Sequence, residues 1–319
     1  IHISQAYDVS MGAAKLVMDL RIWVALGIIA SFTVPTLDLP FSTLIIIDLI
    51  IQMTLSMHGL RLSLQDLREN KRGSALSILL CYGINTVATL LIGLMFFREQ
   101  KEIWYGWVML ASMPCAIAVV TAATLMSERI EIAVLAVTAT YLSGIVLTPV
   151  LSFTLIGDAV DPLKILEYIL LFIILPVILS RLLAHVELSR EVKVPVINLT
   201  MAIMVFCSVN SNRATLEADP TMVLLVLGAA VLRLVALNLI MWYLIRRTSF
   251  AEGSEGTYRV LGVWKNTGLS VSMCMVILEA MPSAVIPCFL SMIVETLWFS
   301  FYTRSRGGGT AVSEPPAPA

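Results

Sequence analysis

YRVLGVWKNTGLSVSMCMVILEAM (258–281) is an apolar run of membrane-crossing length with a knot of polar residues at its middle. A helix needs roughly 20 apolar residues to cross a hydrocarbon layer about 30 Å thick. Lys265, Asn266 and Thr267 fall halfway along this run, flanked by Gly262 and Gly268. Ionisable groups at that depth are costly and usually face a cavity or a partner. The glycines weaken the helix where carbonyl groups can turn toward a ligand. Lys265 is therefore the strongest site candidate in the chain. The competing reading is a lysine that snorkels or pairs with an acid, beside glycines that only let helices approach.

Working outward, similar runs recur along the 319 residues, near 20–35, 39–60, 73–97, 103–126, 130–156, 163–184, 194–210, 220–245, 258–281 and 284–303. The composition is 58% hydrophobic and 13% charged, far more apolar than a soluble domain. The reading is an all-α integral membrane protein of about ten transmembrane helices. Basic residues test that count, because they gather on the cytoplasmic side. Lys15, Arg21, Arg61, Arg68, Lys71, Arg72, Arg129, Arg181, Arg190, Lys193, Arg246, Arg247, Arg259, Arg304 and Arg306 fall on the side shared by both termini. Only Arg98, Lys101, Lys164 and Arg213 fall on the other. Both ends are expected in the cytoplasm, with the protein in the inner or plasma membrane.

The spans divide into two halves, about 20–157 and 162–304, each with a polar-punctuated fourth member. Five spans per half is odd, so the halves would be inverted repeats, as in many secondary transporters. The tail 305–319, rich in Gly, Pro and Ala, is expected to be disordered. The first run, preceded by the amphipathic segment Met11–Asp19, lacks a small-residue cleavage pattern, so no cleavable signal is expected. Whether residues precede Ile1 stays open. A net charge of −1 gives no reason to expect nucleic acid. No obligate protein partner is evident. The five cysteines lie inside apolar runs without CxxC spacing and read as small core residues rather than a metal site.

In the fourth span, SMPCAIAVVTAAT (112–124), Pro114 removes a backbone donor and Thr121 and Thr124 supply hydroxyls, a setting for a break or kink. Cys115 follows the proline and joins the candidates. Asp48, in LIIIDLIIQ (44–52), and Arg233, in GAAVLRLVALN (228–238), are buried charges. Either they form one pair or they make separate polar contacts that lock helices. Glu295 in the tenth span is the remaining mid-membrane acid, with Glu279 nearer a helix end.

These residues resemble the bile acid:sodium symporter family over nearly the whole chain. MHGLRLSLQDLRENKRG (57–73) resembles its GLxLxxxDxR segment. Met113-Pro114 through Thr148-Pro149 align with its Cys-Pro-Gly-Gly-Thr-x-Ser-Asn and later Thr-Pro. Lys265-Asn266-Thr267-Gly268-Leu269 resembles its Gln-Asn-Ser-Gly-Leu. The resemblance implies a ten-helix fold with a panel and a core domain, discontinuous helices four and nine crossing at mid-membrane, and transport of organic anions driven by sodium.

The departures concern sodium. The family's Ser-Asn pair becomes Val119-Val120, its helix-nine acid Leu261, its helix-nine Gln Lys265 and its helix-three Gln Cys81. A hard cation needs about six ligands, usually oxygens, and these side chains assemble no such cage. Pro114 and Asn266 are kept. The expectation is a small-organic-anion carrier without a cofactor or sodium site. In it the Lys265 ammonium stands in for the lost cation, either as a permanent charge or as a group that binds and releases a proton. Glu295 lies near the family's substrate contacts or neutralises Lys265. A channel-like or sensor relative is the alternative. A membrane-embedded enzyme ranks below both, because no HExxH, Ser/His or Ser/Lys pairing appears.

Overall fold

Two long helices of this chain start from an aspartate that caps the first turn, followed by proline. The Asp161 carboxylate accepts from Leu163 N (2.9 Å) and the Asp219 carboxylate from Met222 N (2.9 Å), ahead of Pro162 and Pro220. An acceptor at the cap satisfies an orphan amide, and proline fits the first turn, where no donor is needed. The resulting architecture, a computed structural model, describes residues 16–37, 39–60 and 64–307. Lys15, Arg61 and the rest of the amphipathic segment before Leu16 lie outside the described residues, as does the tail from residue 308.

The helices are α1 (Leu20–Thr33), α2 (Phe41–Met57), α3 (Leu64–Glu69), α4 (Lys71–Ile78), α5 (Thr86–Phe97), α6 (Lys101–Ser112), α7 (Ala118–Leu125), α8 (Ile130–Ile156), α9 (Pro162–Leu182), α10 (Arg190–Ser211), α11 (Arg213–Ala218), α12 (Pro220–Arg247), α13 (Glu255–Val263), α14 (Thr267–Ile277) and α15 (Ile286–Gly307). Among the described residues six segments are long and apolar enough to cross a membrane: Lys71–Phe97, Ile130–Ala159, Pro162–His185, Glu191–Ser211, Pro220–Arg247 and Pro282–Thr303. Leu20–Thr33, Phe41–Met57 and Thr267–Ile277 are apolar but shorter. Their outward faces carry large apolar side chains such as Leu91, Val146, Leu163, Leu182, Leu224 and Leu239, as contact with lipid requires. This is a helical membrane protein. Helix α15 runs through Gly307, three residues into the segment expected to be disordered.

Two features depart from uniform helices. A π-helical segment, Leu79–Asn85, joins α4 to α5. The runs at 103–126 and 258–281 are each broken, into α6 and α7 and into α13 and α14. Met113 is extended (φ −75°, ψ 155°), as a residue before proline prefers. Trp264 is extended too (φ −103°, ψ 116°).

Helices α1, α2, α9 and α10 pack as one layer, and α4–α8 with α12–α15 form a second. The broken helices lie in the second layer, and α2, α9 and α10 reach across to α14. The broken helices are also tied at both outer ends. On one side the Glu128 carboxylate, just after α7, accepts from Gly256 N (2.8 Å), Thr257 N (2.6 Å) and Thr257 Oγ1 (2.7 Å) at the start of α13. On the other, the Glu102 carboxylate in the first turn of α6 accepts from Ser283 N (3.2 Å), beyond α14.

In lipid, helix association rests on close packing rather than on expulsion of water. Small residues therefore mark the contacts. A Cβ at Gly27 on α1 would lie 2.6 Å from Ala202 O on α10, and one at Gly106 on α6 would lie 2.0 Å from Ala284 O. Gly106→Ala forces that backbone apart and is expected to cost about 1–3 kcal/mol. Thermal unfolding in detergent should show a lower midpoint for it than for Gly228→Ala, whose Cβ meets nothing within 4 Å.

Candidate functional site

The two breaks meet. Ala116 N donates to Trp264 O (3.1 Å) and Asn266 N donates to Pro114 O (2.8 Å), pairing the linkers antiparallel at Cys115 and Lys265. Broken helices expose backbone groups that lipid cannot satisfy, and here each linker supplies the other. Pro114, Cys115, Lys265, Asn266 and Thr267 are thus gathered at one buried point.

Lys265 is fully buried and its ammonium is caged by oxygen. Its Nζ donates to Cys81 O (2.9 Å), Thr86 Oγ1 (2.9 Å) and Met113 O (2.8 Å), with Cys81 Sγ at 3.5 Å. The Tyr82 ring centroid lies 4.6 Å from the same nitrogen. An ammonium has three N–H donors, and three oxygens take them. Met113 O closes the carboxyl end of α6, where the helix dipole is negative. Cys81 O comes from the π segment.

Arg233 occupies the equivalent place on α13. Its Nε donates to Thr89 Oγ1 (2.7 Å), its Nη1 to Glu295 Oε1 (2.6 Å), and its Nη2 to Asn85 Oδ1 (3.2 Å) and Val263 O (3.4 Å). Asn85 Nδ2 in turn donates to Gly262 O (3.0 Å) and Val263 O (2.9 Å), the last carbonyls of α13. Each half-helix that ends at the crossing therefore has a cation at its carboxyl end.

Asn266 fixes the other side. Its Oδ1 accepts from Leu269 N (2.9 Å), capping α14, while its Nδ2 donates to Tyr141 Oη (2.6 Å) and lies 3.6 Å from Met53 Sδ on α2. The amino ends of α7 and α14 follow directly on the paired linkers. Cys115 Sγ and Thr140 Oγ1 are 3.1 Å apart.

Of the two arrangements left open for Asp48 and Arg233, the separate one is found: the carboxylate partner of Arg233 is Glu295, and among the described residues no hydrogen bond or ion pair reaches Asp48. Glu295 makes its ion pair with Arg233. Thr121 lies on the exposed face of α7, away from the crossing, and Thr124 Oγ1 folds back onto Val120 O (3.0 Å). The sequence reading passed over Asn85, Thr86, Thr89 and Tyr141. A Gly and an Asn inside the apolar stretch LLCYGIN (79–85) were the one signal for the first two.

Removing one member of a buried ion pair strands the other, at a cost of about 3–5 kcal/mol, whereas apolar replacement of both is often neutral. Arg233→Met should therefore unfold at markedly lower temperature than the wild type. The double change Arg233→Met with Glu295→Leu should regain most of that loss.

Comparison with known proteins returned no match among curated sequences. Residues 43–218 match the profile of the Sodium Bile acid symporter family, from α2 through α11. That stretch holds the first crossing linker, the π segment and Tyr141, and ends before Arg233 and Lys265. It covers more than half of the chain, and this protein belongs to the sodium bile acid symporter family of membrane transporters.

Proposed function

We propose that the chain is a secondary carrier of a small organic anion that works without sodium, the Lys265 ammonium holding the place of the coupling cation. The observation that carries this is the cage of Cys81 O, Thr86 Oγ1 and Met113 O around Nζ. Those are ligands of the kind an alkali ion takes, and a covalently attached cation already occupies them. With every N–H matched, the geometry favours a permanent charge over a proton-shuttling lysine.

At the crossing itself two cations, Lys265 and Arg233, meet one carboxylate, Glu295, a local excess of one positive charge. That charge, together with the amino ends of α7 and α14, favours an anion such as a carboxylate. The reading assigns ten membrane crossings in two inverted five-helix repeats. The breaks at α6/α7 and α13/α14 and the paired end ties at Glu128 and Glu102 support it. The bias of basic residues supports cytoplasmic termini and an inner or plasma membrane location. Transport would follow from movement of the α1, α2, α9 and α10 layer against the second layer around the crossing.

A filled cation place also suits a pore or sensor that has lost coupling, and saturable counterflow in proteoliposomes separates these from a carrier. In sodium-free liposomes the wild type should exchange organic anions at the rate seen with sodium. Lys265→Gln should lower that exchange roughly tenfold or more, the scale of one charge-assisted contact. Sodium-dependent exchange by the wild type, or unchanged exchange by Lys265→Gln, would falsify the assignment.

A further inference from the structure

Among the described residues Asp48 is the buried charge within an apolar helix that the crossing does not use. It is 5% exposed, and its Oδ2 is buried without a hydrogen-bond partner. It lies on the buried face of α2 that also carries Gln52 and Met53. Met53 Sδ touches Asn266, and Gln52 Oε1 comes within 3.3 Å of where a Cβ on Gly268 would sit. Asp48 is thus one helical turn, about 6 Å, from side chains that bear on the crossing. It sits on the helix that packs against α9, α10 and α14.

Helices α9, α10 and α14 pack against α2. Their titratable side chains are Lys164, Glu167, Tyr168 and Arg181 on α9, Glu191, Lys193 and Cys207 on α10, and Cys274 on α14. Among the described residues none of these makes a hydrogen bond or ion pair to Asp48. Among the described residues no group of three or more His, Cys, Asp or Glu side chains gathers to hold a metal ion. An unpartnered carboxylate in an apolar seam is costly, and the occupant that a lone carboxyl can bind is a proton.

We propose that Asp48 is the proton-carrying group of this transporter and that one proton moves with each monovalent organic anion. The inference rests on the anion-carrier reading above, and charge balance supplies its logic. In the empty protein Lys265 and Arg233 are matched by Glu295 and the Asp48 carboxylate. A bound monoanion alone would leave one negative charge in the seam. A proton taken from water on the entry side, forming an O–H bond at the Asp48 carboxyl, removes it. On the exit side that bond breaks, the proton returns to water and the anion leaves. Loaded and empty forms then both cross without net charge, so the cycle is electroneutral.

The test uses purified full-length protein in sodium-free liposomes with labelled pyruvate and labelled taurocholate as probes. With an acidic exterior the wild type should accumulate one of them and make the exterior more alkaline, unaffected by a potassium–valinomycin voltage clamp. Asp48→Asn should lose both responses and Asp48→Glu should regain them. Accumulation by Asp48→Asn at the wild-type level overturns the proposal. If the wild type moves neither anion, the carrier reading fails for these probes, and infrared difference spectra between acid and alkaline buffer decide the proton site separately. A protonated-carboxyl band in the wild type that is missing in Asp48→Asn supports the site, and identical spectra overturn it.

Discussion

Two backbone hydrogen bonds, Ala116 N to Trp264 O and Asn266 N to Pro114 O, hold together what a bilayer would otherwise forbid. A helix broken in lipid exposes donors and acceptors that no solvent satisfies. Two breaks placed face to face satisfy each other. The rest of the second layer follows from that requirement. The remaining carbonyls at the ends of α6 and α13 still need something positively charged or donating to meet them. The chain uses Lys265 at one and Arg233 with Asn85 at the other.

This arrangement explains why so many polar residues survive in so apolar a sequence. Thr86 and Thr89 are buried on α5, one turn apart, and each touches a different cation. Asn85 bridges Arg233 and the end of α13. Glu295 pairs with one of the two cations, and the other is held by neutral oxygens. Loss of any single member unbalances the others, because a partly satisfied buried network costs more than an apolar one.

Much of this was legible in the sequence, for a physical reason. Bilayer thickness imposes a length on every crossing segment, so apolar runs bounded by charge reveal where helices run. Lys265, Asn266 and Pro114 were legible because charge, amide and proline are each conspicuous in such runs. What packing decides was not. Asp48, Arg233 and Glu295 are three intramembrane charges at similar depth, and only the rotation of α2, α12 and α15 about their axes sets which two meet. Thr121 shows the same limit, since its hydroxyl was visible but not the face it occupies. The π segment at 79–85 was hidden because its residues suit an α-helix equally well, and only the demands of Lys265 and Arg233 distinguish the two.

The end ties add a mechanical consequence. Glu128 fastens the exit of α7 to the start of α13, and Glu102 fastens the start of α6 to the segment after α14. With the central pairing, the two broken helices are joined at three levels through the membrane. Such a unit bends poorly, so relative motion must be taken up elsewhere. The contacts of α14 with α2, α9 and α10 are where the layers meet without backbone pairing or a salt bridge among the described residues. The seam that holds Asp48 is one of the places where the two layers meet through side-chain packing alone.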